Sequence, residues 1–152
     1  MTVAKLDAFL EQHKIAHEIK EFPMAVATVE QAAGAVHCSL DKMIKTVIFI
    51  DAKNETYAAI VRGDDRVSMS RMSFGVKLDG LRMAKSEEVL ARTGFSIGAV
   101  PPLGFSAHFI LDEKIPDMQF CWGGGGSDKA LVKLTPKDII EHTKAQVVRI
   151  TV

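Results

Sequence analysis

The chain has 152 residues, 47% of them apolar and 25% charged, the balance of an ordinary globular protein and too short for two comfortable domains. Lys plus Arg and Asp plus Glu both number 19, which excludes a global basic field, so a nucleic-acid partner would have to be held by a local cationic patch. Cys38 and Cys121 make neither a disulfide framework nor a metal-ligand spacing, and no window is apolar and long enough for a bilayer span or a signal peptide. The expectation is a cytoplasmic protein with reduced thiols, no membrane contact, no metal and no cofactor.

In chain order, Val3 to Gln12 carries apolar residues at helical spacing, and Ile15 to Phe22 alternates as a strand closed by Pro23. His13 and His17 are four apart, but the helix ends between them and no third ligand accompanies them, so both are read as surface residues. Thr28-Val29-Glu30-Gln31 is a capping-box pattern that opens a short helix through Val36. Ser39 to Met43 reads as a further helical turn. Ile44 to Ile50 is the clearest strand, a nearly continuous apolar run covered on both faces, and Thr56 to Val61 returns as its hairpin partner. Lys45 stands out as a cation at the mouth of that strand; by itself it is read first as a strand-end lysine whose stem snorkels to water.

Ser68 to Phe74 reads as a short helix, Leu81 to Ala84 as a short strand, and Ser86 as the cap of a helix over Glu87 to Thr93 ended by Gly94. Gly98-Ala99-Val100-Pro101-Pro102 is a connector stiffened by two prolines. His108 to Leu111 is another strand. Met118 to Trp122 and Ala130 to Leu134 read as strands flanking Gly123-Gly124-Gly125-Gly126-Ser127. Four consecutive glycines have a high ordering cost, so a folded chain keeps them where backbone must come close to something or aim its N–H groups; a loose hairpin tip is the plain alternative. Thr135-Pro136-Lys137-Asp138 starts a last helix to about Thr143, followed by a strand over Gln146 to Val152. Hairpins mixed with single helices argue for one α+β domain over residues 1–152, with a mixed, mainly antiparallel sheet flanked by helices.

The capped helix at Thr28, the lysine strand Lys45-Thr46-Val47, the Gly98-x-x-x-Pro102 loop and the glycine loop leading into Ala130-Leu131-Val132-Lys133-Leu134-Thr135-Pro136 stand in a familiar order. From about Leu6 to Val148 the chain resembles the YbaK/prolyl-tRNA synthetase editing-domain family of trans-editing aminoacyl-tRNA deacylases. The resemblance implies a curled mixed sheet, and hydrolysis of the ester joining a wrong small amino acid (alanine, cysteine, serine or threonine) to the 3′ end of a tRNA. It implies that Lys45 contacts the aminoacyl-adenosine end and that Gly98, Ala99, Val100, Pro101 and Pro102 position the ester. It further implies that Gly123, Gly124, Gly125, Gly126 and Ser127 close the opposite side, with Thr28 and Thr46 as further substrate-binding candidates. The alanine-clearing branch carries a His-Pro pair where this chain has Phe120-Cys121-Trp122, and the cysteine-clearing branch has a small-residue run. The chain matches neither, which leaves the cleared amino acid open.

The sequence offers no Ser-His-Asp or Cys-His pair at recognisable spacing. An aminoacyl ester is already activated, so positioning and backbone N–H stabilisation of the oxyanion could carry the hydrolysis. Lys45 and Gly98 are the catalytic candidates, and Gly123 to Gly126 could add donors. Cys121 reads as a pocket-wall or buried thiol, and Trp122 as either a base-stacking platform or a core residue. The partner would be the acceptor end of a tRNA, with or without a synthetase. The competing class is a non-catalytic module that senses an aminoacyl-tRNA or nucleotide in the same pocket. A general phosphate-binding loop is disfavoured, because no Lys-Ser/Thr or helix follows the glycines.

Overall fold

A computed structural model describes residues 2–152. Five helices, α1 (Thr2–Gln12), α2 (Val29–Val36), α3 (Met69–Val76), α4 (Ser86–Thr93) and α5 (Pro136–Thr143), surround eight strands. The strands are β1 (Glu18–Glu21), β2 (Ile44–Ile50), β3 (Thr56–Arg62), β4 (Arg82–Met83), β5 (His108–Asp112), β6 (Cys121–Gly124), β7 (Ala130–Leu134) and β8 (Gln146–Val148). The expected single curled sheet is corrected: the strands divide into an open three-stranded sheet, β1-β7-β6, and an open five-stranded sheet, β4-β2-β3-β5-β8. Pairing is mainly antiparallel, with β3–β5 and β5–β8 parallel. A single parallel bridge, Met43 to Trp122, joins the edge of one sheet to the edge of the other.

The alternation of β2 sorts its side chains between two cores. Ile44, Ile48 and Ile50 enter the larger core with Leu6 and Leu10 of α1, Val89 of α4, Ile139 of α5, and Val132 and Leu134 of β7. Phe49 enters a second core with Tyr57, Val61, Ile110 and Met72 of α3, so both faces of the five-stranded sheet are covered. A third cluster joins Ala32 and Ala33 of α2 to Met43, Trp122 and Leu131, seating α2 over the place where the sheets meet.

Local signals hold where they are strong. Thr28 caps α2 with a full capping box, its hydroxyl accepting from the Gln31 N–H while its own N–H donates to Gln31 Oε1. Ser68 and Thr135 cap α3 and α5 through half of that arrangement, their hydroxyls accepting from the Arg71 and Asp138 N–H groups. Ser86 does not cap α4: it is the first helical residue and Lys85 holds the cap position, its N–H donating to Glu88. The strand placed over Ile15 to Phe22 shortens to β1, and the one over Gln146 to Val152 shortens to β8 with an isolated bridge at Thr151. The flanking strand does not stop at Trp122; β6 runs on through Gly123 and Gly124, paired with Val132 and Leu131.

Candidate active site

A cavity of about 70 Å³ opens where the two sheets diverge beyond the Met43–Trp122 bridge. Four segments build its wall: Val26 to Val29 and Ala32 around the start of α2, Met43 to Thr46 at the start of β2, Gly98 and Val100, and Trp122 to Gly124 with Leu131. The lining is apolar apart from Thr28, Lys45, Thr46 and the peptide groups. Of the residues singled out in sequence, Thr28, Lys45, Thr46, Gly98, Val100, Gly123 and Gly124 line this one space. Ala99, Pro101, Pro102, Gly125, Gly126 and Ser127 do not; all but the half-buried Ser127 are buried behind the wall or in the turn.

Backbone direction explains why such a gap is rich in peptide groups. Asp51 donates to Glu55 and Gly63 donates to Met43, so the odd-numbered residues of β2 address β3. Ala84 donates to Ile48, so the even-numbered residues address the other edge, where β4 covers only Phe49 and Ile50. The N–H and C=O of Thr46 therefore face the open edge. On β6, Gly125 donates to Ala130 at 3.0 Å, so by alternation Gly123 faces β7 while Trp122 and Gly124 face outward, toward β2 and the 98–102 loop. Gly98 and Val100 pair their N–H groups with no backbone carbonyl among the described residues.

The glycines divide into different roles. Gly98 has φ +83°, a left-handed conformation costly for a side-chain-bearing residue, and a β-carbon there would press on Ala27 at 3.2 Å. Gly126 (φ +98°) donates to Ala99 at 3.0 Å, so the N–H groups of Gly125 and Gly126 are already paired and do not face the cavity. With Gly123 turned toward Val132 in the ladder, Gly124 alone of the run has its N–H on the side away from β7, so three of the four glycines are removed as oxyanion donors.

Lys45 is half-buried and enters no ion pair among the described residues, whereas Lys20, Lys114, Arg62 and Arg82 all do. Its charge is thus free to meet a ligand's. The adjoining groove on the other side of Lys45, Thr46 and Val100 has a volume of about 250 Å³ and is walled by Val47, Met83, Val89 and Ile97. Cys121 is fully buried in the main core and does not line the cavity; burial pushes its thiol up to about 12, and its Sγ donates to the Leu134 carbonyl. Trp122 is buried as a wall of the cavity, with the Lys20 ammonium 5.4 Å from its ring centre.

One cluster escaped the sequence reading. His17 lies over α1, its Nε2 2.9 Å from Asp7 Oδ1 and 3.8 Å from Glu11 Oε1, so its partners come from the helix before it rather than from His13. Ligand atoms of Asp7, Glu11 and His17 all lie within 4.8 Å of one another. The i, i+4 spacing of Asp7 and Glu11 was the available signal.

The scaffold is thus α+β, with a small cavity between two sheets lined largely by backbone and by a lysine that enters no ion pair among the described residues. Comparison places that scaffold. A family profile for the aminoacyl-tRNA editing domain matches residues 24–142, and the chain belongs to that family. Over 151 residues it is 30% identical to the uncharacterized protein YwhH of Bacillus subtilis, covering 97% of this chain and 94% of that protein. It is 31% identical over 101 residues to the proline–tRNA ligase of Pseudothermotoga lettingae, covering 66% of this chain but only 17% of the ligase. A solved structure described as a candidate trans-editing enzyme for prolyl-tRNA synthetase superposes with a TM-score of 0.89 at 30% identity, over 99% of this chain and 97% of that one. No helix among the described residues is long and apolar enough to cross a membrane.

Proposed function

We propose that residues 1–152 form one cytoplasmic editing domain that hydrolyses the ester of a tRNA mischarged with a small amino acid. The observation that carries this reading is the convergence of Thr28, Lys45, Gly98 and Gly124 on one small cavity in a member of an editing family. A cavity of about 70 Å³ is roughly half the size of the ~150 Å³ apolar void that accepts a benzene ring. It suits the side chain of alanine, serine, cysteine or threonine and excludes aromatic ones. The apolar groove of about 250 Å³ beyond Lys45 suits the flat face of the terminal adenine.

With the side chain in the cavity and the nucleoside over the groove, the ester lies between them, beside Lys45, Thr46 and Val100. Hydrolysis then proceeds by positioning. Water adds to the ester carbonyl, negative charge develops on the carbonyl oxygen, and the N–H groups of Gly98 and Val100 receive it. Collapse of the adduct breaks the bond to the ribose oxygen, which takes up the proton given up by the water and leaves as a hydroxyl, freeing the amino acid. Lys45 holds the ester or the terminal phosphate as a point charge. Deacylation by wild-type protein of one tRNA charged in turn with alanine, serine, cysteine and threonine, and its loss in Lys45→Ala, tests the reading. Tight binding of those tRNAs without turnover would leave a non-catalytic sensor in its place.

A further inference from the structure

We propose that Gly63, which does not line the cavity, fixes the cavity's size through Val29, so that the Gly63–Val29 contact is a specificity-determining device. The proposal rests on the deacylase reading above.

Gly63 directly follows β3, and its N–H donates to the Met43 carbonyl at 2.7 Å. Its backbone lies outside the left-handed region, so conformation does not require glycine here. Space does. A β-carbon at 63 would stand 2.5 Å from Val29 Cγ1, 3.3 Å from Val29 Cγ2 and 3.0 Å from Met43 Cβ. Both neighbours line the cavity. Met43 cannot yield, because the atom contacted is its own β-carbon, fixed to backbone that bridges the two sheets. Val29 gains little by turning aside: its two γ-carbons, at 2.5 and 3.3 Å, fill two of the three staggered positions, so any rotation about χ1 leaves one of them against the new carbon.

The displaced object is therefore the first turn of α2 with Val29 on it. That turn also carries Ala32 and follows the capping Thr28, which both line the cavity. Val29 touches Gly63 on one side and the cavity on the other, so a methyl group at 63 drives it inward. In so small a space the larger of the accepted side chains loses its room first. The hydrogen of Gly63 thus sets the upper size limit of the amino acid, from behind the wall.

The test uses one tRNA charged with alanine, serine or threonine, and compares wild type, Gly63→Ala, Val29→Ala and the double variant by kcat/KM, with thermal unfolding followed in parallel. Gly63→Ala is expected to lose about 10²-fold on the threonyl ester, the scale of an ångström-sized misplacement, and clearly less on the alanyl ester. The double variant is expected to return to within a few-fold of wild type on both, because the smaller side chain at 29 yields the needed space. A flat response to Gly63→Ala, or an equal loss on all three esters that Val29→Ala does not relieve, would overturn the proposal while leaving the deacylase reading standing. A wild type that hydrolyses none of the three would remove both.

Discussion

Gly124 and Val100 approach so closely that a β-carbon on Gly124 would lie 2.5 Å from the Val100 carbonyl oxygen and 2.8 Å from the Ala99 carbonyl carbon. Two segments more than twenty residues apart are thereby one body, closed further by the Gly126 N–H donating to Ala99. The glycine run is long because several of its members each lie against a different obstacle: Ile44 for Gly123, the 98–102 loop for Gly124, and Ala130 and Leu131 for Gly125.

Gly124→Ala is accordingly expected to push the 98–102 loop away from β6. Overpacking of this kind costs about 1–3 kcal/mol of stability, and the moved Gly98 and Val100 amides lower deacylation by about 10²-fold. Gly34→Ala is the contrasting case. A β-carbon there meets nothing within 4 Å, and the position is an exposed helical one, so the substitution stabilises by roughly 0.5–1 kcal/mol. Denaturant melts and single-turnover rates on the two variants check both statements.

Lys45→Gln removes the charge and keeps most of the stem. Because Lys45 pairs with no carboxylate among the described residues, stability should change by no more than about 0.5 kcal/mol. Deacylation should fall by about 10²–10³-fold, as when a transition-state charge partner is lost. Lys45→Arg should recover only part of this, since a planar fork does not replace a compact ammonium. Equal rates for wild type and Lys45→Gln would remove Lys45 from the site.

Cys121 is not the nucleophile. Burial holds its thiol protonated, up to about 12, and its Sγ points at the Leu134 carbonyl inside the main core. Cys121→Ala is expected to keep deacylation within a few-fold while lowering the melting temperature. Iodoacetamide should leave Cys121 unlabelled in the native protein, as mass spectrometry of the digested chain would report.

His17 ties β1 to α1 most firmly when protonated. Its Nδ1 lies 2.7 Å from the Ile15 carbonyl and its Nε2 2.9 Å from Asp7 Oδ1, two acceptors that only an imidazolium can serve at once. Burial lowers its pKa, but the Ile15 and Asp7 acceptors and the charges of Asp7 and Glu11 outweigh that and raise it above 6.5. A raised folded-state pKa means the stabilisation is complete below the unfolded value and disappears as pH climbs through the folded one. The melting-temperature gap between wild type and His17→Asn should therefore be widest near pH 5–6 and close as pH rises through the folded pKa; a gap independent of pH would refute the ion pair.

The locally encoded parts could be read from the residues alone. The Thr28 capping box, the Thr135-Pro136 helix start and the apolar run of β2 are written in residues that interact within a few positions of one another, so they can be read without the fold. The sequence also marked Lys45, the 98–102 loop and the glycine run as unusual, because a cation on a core strand and runs of proline or glycine violate the ordinary preferences of their surroundings. What those oddities face depends on the folded arrangement. The split into two sheets, the continuation of β6 through Gly123 and Gly124, the pairing of the Gly125 and Gly126 amides, and the partners of His17 all depend on segments distant in the chain. Gly63 carries no local signal at all: its need for a bare α-carbon arises from Val29, thirty-odd residues earlier, and close approach between remote segments leaves no trace in the spacing of neighbours.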